Sequence, residues 1–129
     1  MILYIETSAA AKLLVDEPAS SRLAVRLDSA VAEDEALISS ILLETELRRL
    51  AVRVDLPQVA VTHLLERFDL VETDRSLYRE AGLLPGRHLR SLDALHLAAA
   101  LRVSADVMVT YDRRQADAAD AAGLPVLAP

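Results

Sequence analysis

Five acidic residues, two of them alternative candidates for one position, stand at the ends of apolar runs or inside helical patterns. "LYIET" ends a short apolar run at Glu6, and "VMVTYD" places Asp112 just after another. "SSILLETELRR" offers Glu44 and Glu46, and "RSLDALHLAAAL" carries Asp93 in its first turn. Carboxylates gathered at one place raise one another's pKa values, and a divalent cation removes that cost. Such oxygen ligands suit Mg²⁺ or Mn²⁺, which typically activate water in phosphodiester cleavage.

Each acid also has an ordinary structural explanation. Glu6 and Asp93 would interact favourably with the positive end of a helix, and Asp112 could cap the helix that follows it. Glu44 stands four residues before Arg48, the spacing of an exposed ion pair on a helix. Glu46 lies beside the apolar stripe of its helix, whereas Glu44 lies farther round. The residues alone leave both Glu positions open as members of an acidic site.

Short apolar runs alternate with helical patterns along the chain, which predicts an α/β sandwich with a largely parallel sheet. Ligands of such folds bind at the carboxyl ends of the strands, where Glu6 and Asp112 are expected. Ser91 and Ser8 are predicted helix caps, and Gly123 a helix end. The predicted strands cover 2–5, 37–39, 70–73, 106–110 and 125–127, and the predicted helices cover 8–15, about 18–30, 41–53, 57–68, 75–83, 92–102 and 113–122.

The composition is that of one globular domain over residues 1–129 with an aliphatic core. Hydrophobic residues make up 53% of the chain, and there is no Cys, which excludes disulfides, thiolate metal sites and cysteine nucleophiles. No signal peptide or membrane-spanning run is predicted, so the expected location is the cytoplasm. The net charge of −6 argues mildly against nucleic-acid binding by charge alone.

The order of these motifs resembles that of the PIN-domain ribonucleases, and within them the VapC-type toxins of bacterial toxin–antitoxin pairs. Glu6-Thr7-Ser8 matches the family's first acidic motif, and Ser40 through Glu46-Leu47-Arg48 matches its Ser-x5-Glu-Leu-x-Arg helix. Leu92 through Ala98 matches its Leu-Asp-Ala-x-His-Leu-Ala motif closely, and Thr110-Tyr111-Asp112 matches its Thr-x-Asp motif. The resemblance covers the whole chain and favours Glu46 over Glu44.

This resemblance implies a metal-dependent endoribonuclease with a three-layer PIN fold. Glu6, Glu46, Asp93 and Asp112 would be its catalytic, metal-binding residues, holding one or two Mg²⁺ or Mn²⁺ ions. A VapB-like antitoxin, a homodimer and a structured RNA substrate such as tRNA or rRNA are also implied. One departure stands out, because the family's first acid is normally Asp. The extra methylene of Glu6 extends its reach but costs more side-chain entropy to fix.

Several further residues receive weaker functional hypotheses. A hydroxyl of Thr7 or Thr110 could hold a carboxylate by a hydrogen bond. Asp117 is a possible extra acid, because some relatives carry one in this region. A general base is the minority interpretation of His96, and a satisfied core histidine is the favoured one. Three arginines are possible contacts to RNA phosphates: Arg48, Arg90 and Arg113.

Two rival functions follow from the same residues. A non-catalytic PIN module would bind an antitoxin or RNA, with Glu6 marking a decayed site. A phosphotransfer receiver domain also gathers acids at strand ends, but it needs a Lys on a late strand. Lys12, the one Lys of the chain, lies on the predicted first helix, which makes the receiver hypothesis the weakest.

Overall fold

A computed structural model describes residues 1–129 as a five-stranded sheet covered by helices. The strands lie in the order β3-β2-β1-β4-β5, and all four neighbouring pairs are parallel. The elements are β1 (Ile2–Ile5), α1 (Thr7–Ala11), α2 (Ser20–Ala32), β2 (Ala36–Ser40), α3 (Leu42–Arg53), α4 (Gln58–Leu65), β3 (Asp69–Val71), α5 (Arg75–Gly82), α6 (Ser91–Arg102), β4 (Val107–Val109), α7 (Arg113–Ala121) and β5 (Val126–Leu127).

The central strand β1 is buried on both faces of the sheet. Leu3, Tyr4 and Ile5 are fully inaccessible to solvent, as expected of a strand in a parallel sheet with helices on both sides. Successive side chains of a strand point to opposite faces. Leu3 and Ile5 accordingly join one core cluster, and Tyr4 joins the other.

The helices divide into two layers, one on each core cluster. The first cluster contains buried residues of α1, α2, α3 and α4, and the second contains buried residues of α5, α6 and α7. Aliphatic side chains such as Leu23, Leu27, Leu43 and Leu47 fill the first, because their three- and four-residue spacings put them on one helix face. The predicted three-layer sandwich is confirmed.

The predicted elements are all present, but several boundaries were wrong. Helix α1 ends at Ala11 rather than at 15, and α4 ends at Leu65 rather than at 68. The N-cap of α6 is Arg90, whose extended backbone precedes the first turn, and Ser91 is already the first helical residue. Gly123 follows α7 with a positive φ of 80°, the conformation in which a glycine ends a helix. None of the helices combines the length and apolarity needed to cross a membrane.

The carboxyl ends of the strands meet at one edge of the sheet because every pair is parallel. β1 lies between β2 and β4, and Ile5 is aligned with Val109 at the ends of the two strands. The chain moves from β1 to β2 on one side and reaches β4 on the other, so strand order reverses at β1. Open α/β sheets bind ligands at such reversal points, and Glu6 and Thr110 follow β1 and β4 there.

Candidate active site

Glu6 occupies the N-cap of α1 immediately after the buried strand β1. It is 5% exposed, and its Oε2 and Oε1 accept hydrogen bonds of 2.8 and 3.2 Å from the backbone N of Ser8. Thr110 donates a third bond, of 2.9 Å, to Oε1. The prediction that Ser8 caps this helix was wrong, because Glu6, one methylene longer than Asp, folds back to do so.

Ser8 instead takes part in a chain of hydroxyl groups that joins the ends of β1 and β4. Its Oγ accepts from the backbone N of Tyr111 at 2.8 Å and lies 3.1 Å from Thr110 Oγ1. Thr110 Oγ1 also accepts from the backbone N of Asp112 at 3.1 Å. Because the Thr110 hydroxyl donates its one proton to Glu6, the Ser8 hydroxyl must donate to Thr110. Of the two threonines suggested as carboxylate partners, Thr110 is thus the one that hydrogen-bonds to the carboxylate of Glu6.

Glu46 projects from α3 towards a buried histidine of α6. Its Oε1 lies 2.6 Å from Nε2 of His96, which is 2% exposed. His96 Nε2 also lies 3.2 Å from Thr7 Oγ1, and its Nδ1 lies 2.7 Å from the hydroxyl of Tyr4. His96 is therefore a buried histidine with partners at both ring nitrogens, as favoured from the sequence. Glu44 points elsewhere and forms the expected ion pair with Arg48, at 3.0 Å.

Asp93 lies in the first turn of α6, and its surroundings raise the pKa of its carboxyl group. Burial raises the pKa of the Asp93 carboxyl, and the negative charge of Asp112 raises it further. His96 and Arg114 act in the opposite direction, and Glu46 adds a smaller upward effect on this pKa. The charges of Glu46 and Asp112 thus both act on the pKa of Asp93, as expected if all three acids stand at one edge of the sheet.

Asp112 is the N-cap of α7, where its Oδ1 accepts a hydrogen bond of 3.1 Å from the backbone N of Gln115. The fully buried side chain of Gln115 donates from Nε2 to the backbone O of Asp93, at 3.1 Å. One residue therefore contacts both the third and the fourth acid. Its Oε1 is buried without a partner. No pattern in the sequence indicates this role, since a Gln within an acidic, Ala-rich helix is usually exposed.

The four acids lie at the same edge, where the carboxylates of Glu6, Glu46 and Asp112 are hydrogen-bonded to protein groups. No three His, Asp or Glu side chains converge closely enough to hold a metal ion in these conformations. The donor chemistry nevertheless fits a hard divalent cation, because all four groups offer carboxylate oxygens. Burial raises the pKa of Asp93, and the negative charges of Asp112 and Glu46 add to this effect. Like charges brought together in this way are a setting in which a cation binds favourably.

The other residues singled out from the sequence lie around this edge or away from it. Arg48 hydrogen-bonds with Gln58 and Thr62 as well as Glu44, and so ties α3 to α4. Arg90 and Arg113 are exposed, at the N-cap of α6 and the first residue of α7. Asp117, also exposed, lines a groove between α7 and the loop before α6.

Two cationic side chains beside the acids were not singled out from the sequence. Arg49 lines a groove that also contains Glu46, Thr7 and Leu92. Its position three residues after Glu46 puts both on one helix face, so this neighbour could have been found by spacing. Arg114 lowers the pKa of Asp93 by its charge. That contact crosses from α7 to α6, which no local spacing reveals.

The chain is similar to known proteins over most of its length. The PIN domain family matches residues 3–121. Ribonuclease VapC35 of Mycobacterium tuberculosis is 40% identical over 134 residues, which cover 99% of this chain and 97% of that protein. Ribonuclease VapC46 of the same organism is 36% identical, over 98% of this chain and 97% of that protein.

Solved structures share the fold at lower sequence identity. The crystal structure of VapBC2 from Rickettsia felis bound to a DNA fragment from their promoter has a TM-score of 0.73, with 15% identity over 98% of each chain. FitAB bound to the IR36 DNA fragment has a TM-score of 0.71, with 23% identity over 98% of this chain and 94% of that one. The similarity in fold to these structures covers almost the full length of the chain.

Proposed function

This chain belongs to the PIN-domain family, and from that premise we propose that it is a metal-dependent endoribonuclease acting as the toxin of a VapBC-type pair. The observation that carries the proposal is the gathering of acids at the strand ends. Burial raises the pKa of Asp93, and the charges of Asp112 and Glu46 raise it further. The relatives at 40% and 36% identity bear the name ribonuclease.

Glu6, Glu46, Asp93 and Asp112 would hold Mg²⁺ or Mn²⁺. When bound, such an ion supplies charge neutralisation and an acidified water for attack on the phosphodiester. The chain's own groups position the acids, since Thr110 fixes Glu6 and Gln115 connects Asp93 to the helix that Asp112 caps. Arg49 and Arg114 offer guanidinium groups beside the acids, suited to binding RNA phosphates on either side of the cleaved bond.

An antitoxin partner, a homodimer and a structured RNA substrate such as tRNA or rRNA belong to the same proposal. The solved structures of similar fold are the complexes VapBC2 and FitAB. A groove lined by Leu42, Leu50 and Leu92 together with Arg49 and Arg53 reaches Glu46. A segment seated in that groove would cover the acids.

A second candidate function is a non-catalytic module that binds an antitoxin or RNA. The conformation of Glu6 favours it, because both carboxylate oxygens are already engaged by Ser8 and Thr110. A metal ion would have to compete with these bonds. Thermal stabilisation by millimolar Mn²⁺ separates the two functions, since a ligand that binds the folded state raises the melting temperature.

Cleavage of a mixed RNA pool tests the proposal directly. We expect the protein to cleave RNA with Mn²⁺ and not with EDTA, and Asp93→Asn to abolish cleavage while remaining folded. Asp120→Asn, an exposed Asp on α7, is the matched control and should cleave normally. Full metal-dependent cleavage by Asp93→Asn would refute the assignment, and absence of both cleavage and Mn²⁺ stabilisation in the unmodified protein would favour the binding module.

A further inference from the structure

A buried chain of three side chains connects the central strand to the second acid. Tyr4 of β1 is fully buried, and its ring meets the ring of His96 edge to face, with centroids 5.8 Å apart. The Tyr4 hydroxyl lies 2.7 Å from His96 Nδ1. His96 Nε2 lies 2.6 Å from Glu46 Oε1. The three residues come from β1, α6 and α3, so the chain spans the sheet edge where the acids gather.

The chemistry of the end groups sets the direction of these hydrogen bonds. An ionised carboxylate only accepts, so His96 must present an N–H at Nε2 to Glu46. A neutral imidazole with its proton on Nε2 has a lone pair on Nδ1. The phenol of Tyr4 can then donate to that lone pair. Each donor thus meets an acceptor along the whole chain.

We propose that His96 is a positioning residue that holds Glu46 at the sheet edge through an Nε2–H hydrogen bond, with the Tyr4 hydroxyl locking the ring. The role of Glu46 as a metal ligand rests on the function proposed above. The bond uses Oε1 and leaves Oε2 for a cation. A carboxylate held in this way loses less side-chain freedom when it binds the cation.

The rival arrangement places the proton on Nδ1. His96 would then donate to Tyr4 and accept at Nε2 from the hydroxyl of Thr7, which lies 3.2 Å away. That tautomer sets the Nε2 lone pair against Glu46 Oε1 at 2.6 Å. Two acceptors at this distance repel each other unless Glu46 carries a proton. The rival therefore requires a neutral Glu46, and the two arrangements differ in a measurable way.

Nitrogen NMR of the full chain labelled with ¹⁵N-histidine distinguishes the tautomers without metal or RNA. The chain has three His, and His63→Gln and His88→Gln assign their signals because both side chains are exposed. We expect the His96 signals of a protonated Nε2 and an accepting Nδ1. Thr7→Val should leave this tautomer of His96 unchanged. Signals of a protonated Nδ1 together with an unprotonated Nε2 would overturn the proposal, and this readout stands whether or not the protein is a ribonuclease.

Mn²⁺ titration followed by calorimetry tests the effect on Glu46. We expect His96→Leu to weaken Mn²⁺ binding by about 10-fold or more, the usual result of removing a group that orients a ligand. His96→Gln, which keeps an N–H donor, should recover most of the affinity, and Tyr4→Phe should lie between them. Tyr78→Phe on the exposed face of α5 is the matched control for the lost hydroxyl.

Kinetics at saturating Mn²⁺ give the last comparison. We expect His96→Leu to lower kcat with little change in KM for RNA, because Glu46 orients the cation rather than binding RNA. Wild-type Mn²⁺ affinity in a folded His96→Leu would overturn the proposal, as would equal losses in His96→Leu and His96→Gln. If His96→Leu does not fold, the comparison of Tyr4→Phe with Tyr78→Phe decides, and equal affinities there would overturn it.

Discussion

Thr110 Oγ1 donates a 2.9 Å hydrogen bond to Glu6 Oε1, although the two residues are 104 positions apart in the sequence. The bond joins the ends of the neighbouring strands β1 and β4. The same oxygen accepts from the backbone N of Asp112, so a single hydroxyl orients the first acid and the loop that carries the fourth. Removing it should disturb both.

Thr110→Val should therefore destabilise the fold. The substitution keeps the shape of the side chain but leaves the buried carboxylate of Glu6 and the N–H of Asp112 without their shared partner. We expect the free energy of unfolding to fall by about 1–3 kcal/mol, measured by urea denaturation. Thr110→Ser, which keeps the hydroxyl, should recover most of this loss, and equal losses in the two variants would show that the methyl group matters instead.

Glu6→Gln should separate the helix-capping role of Glu6 from its proposed role in metal binding. Its one amide oxygen can still accept from Thr110 and the backbone N of Ser8 at the Oε1 position, so the variant should fold. Its melting temperature should be lower, because the amide NH2 at the other position faces the Ser8 N–H. The lost charge should remove most of the stabilisation by Mn²⁺. Glu6→Asp should keep the charge, since Asp is a preferred N-cap residue, and bind Mn²⁺ more tightly because a shorter side chain loses less entropy. Stronger Mn²⁺ stabilisation in Glu6→Gln than in Glu6→Asp would contradict this account.

Asp93 should make the fold less stable as pH rises. Burial and the charge of Asp112 raise the pKa of Asp93 in the folded state. The folded state therefore binds more protons than the unfolded state between the ordinary Asp value of about 4 and the raised value. Stability is greatest below this window and falls as pH passes through it. Relative to Asp93→Asn, the wild type should lose stability from pH 3 to neutrality, as measured by thermal unfolding without metal.

Asp74 should show the opposite slope. Arg102, the backbone N of Leu77 and the hydroxyl of Ser76 hold the pKa of Asp74 well below its usual range. Its contribution is present above the ordinary Asp value and is lost as pH falls towards the lowered value. Asp74→Asn should be destabilised at neutral pH, and its difference from wild type should shrink on acidification. A difference that grows in acid would show that Asp74 acts in another way.

Arg48 and Arg49 should respond differently to substitution despite being neighbours. Arg48 is committed to Glu44, Gln58 and Thr62, so Arg48→Gln should reduce stability by up to about 1 kcal/mol and leave KM for RNA unchanged. Arg49 lines the groove that contains Glu46, so Arg49→Gln should raise KM several-fold and change stability little. The pair serve as each other's control in a cleavage assay with urea unfolding.

The fold could be predicted from the sequence because its signals are local. The buried run Leu3-Tyr4-Ile5 and the nearly all-apolar helix around Leu95 predict a parallel sheet with helices on both faces. The placement of Glu6 and Asp112 at the strand ends follows from that architecture. Helix ends were less predictable, because the caps depend on side-chain reach. Glu6 displaced Ser8 as a cap, and α6 began one residue early at Ser91.

The contacts between distant residues could not be predicted. Gln115 reaches the carbonyl of Asp93, and the charge of Arg114 acts on Asp93. Neither relation has a fixed spacing in the chain, because each depends on how α7 packs against α6. The partners of His96 come from three different elements for the same reason. Spacing reveals neighbours within a helix, whereas packing alone decides neighbours between elements.

The position of β1 at the centre of the sheet has a consequence for synthesis of the protein. β1 is made first, yet one of its two neighbours is β4, whose residues begin at Val107. A growing chain can pair β1 with β2, and β2 with β3, while the other edge of β1 stays open, and open edges invite association with other chains. The hydrogen bond between Glu6 and Thr110 also cannot form until Thr110 has been synthesised. The ribosome must therefore synthesise Thr110 before the first acid meets its partner, so chains that end before Thr110 lack the assembled acidic edge.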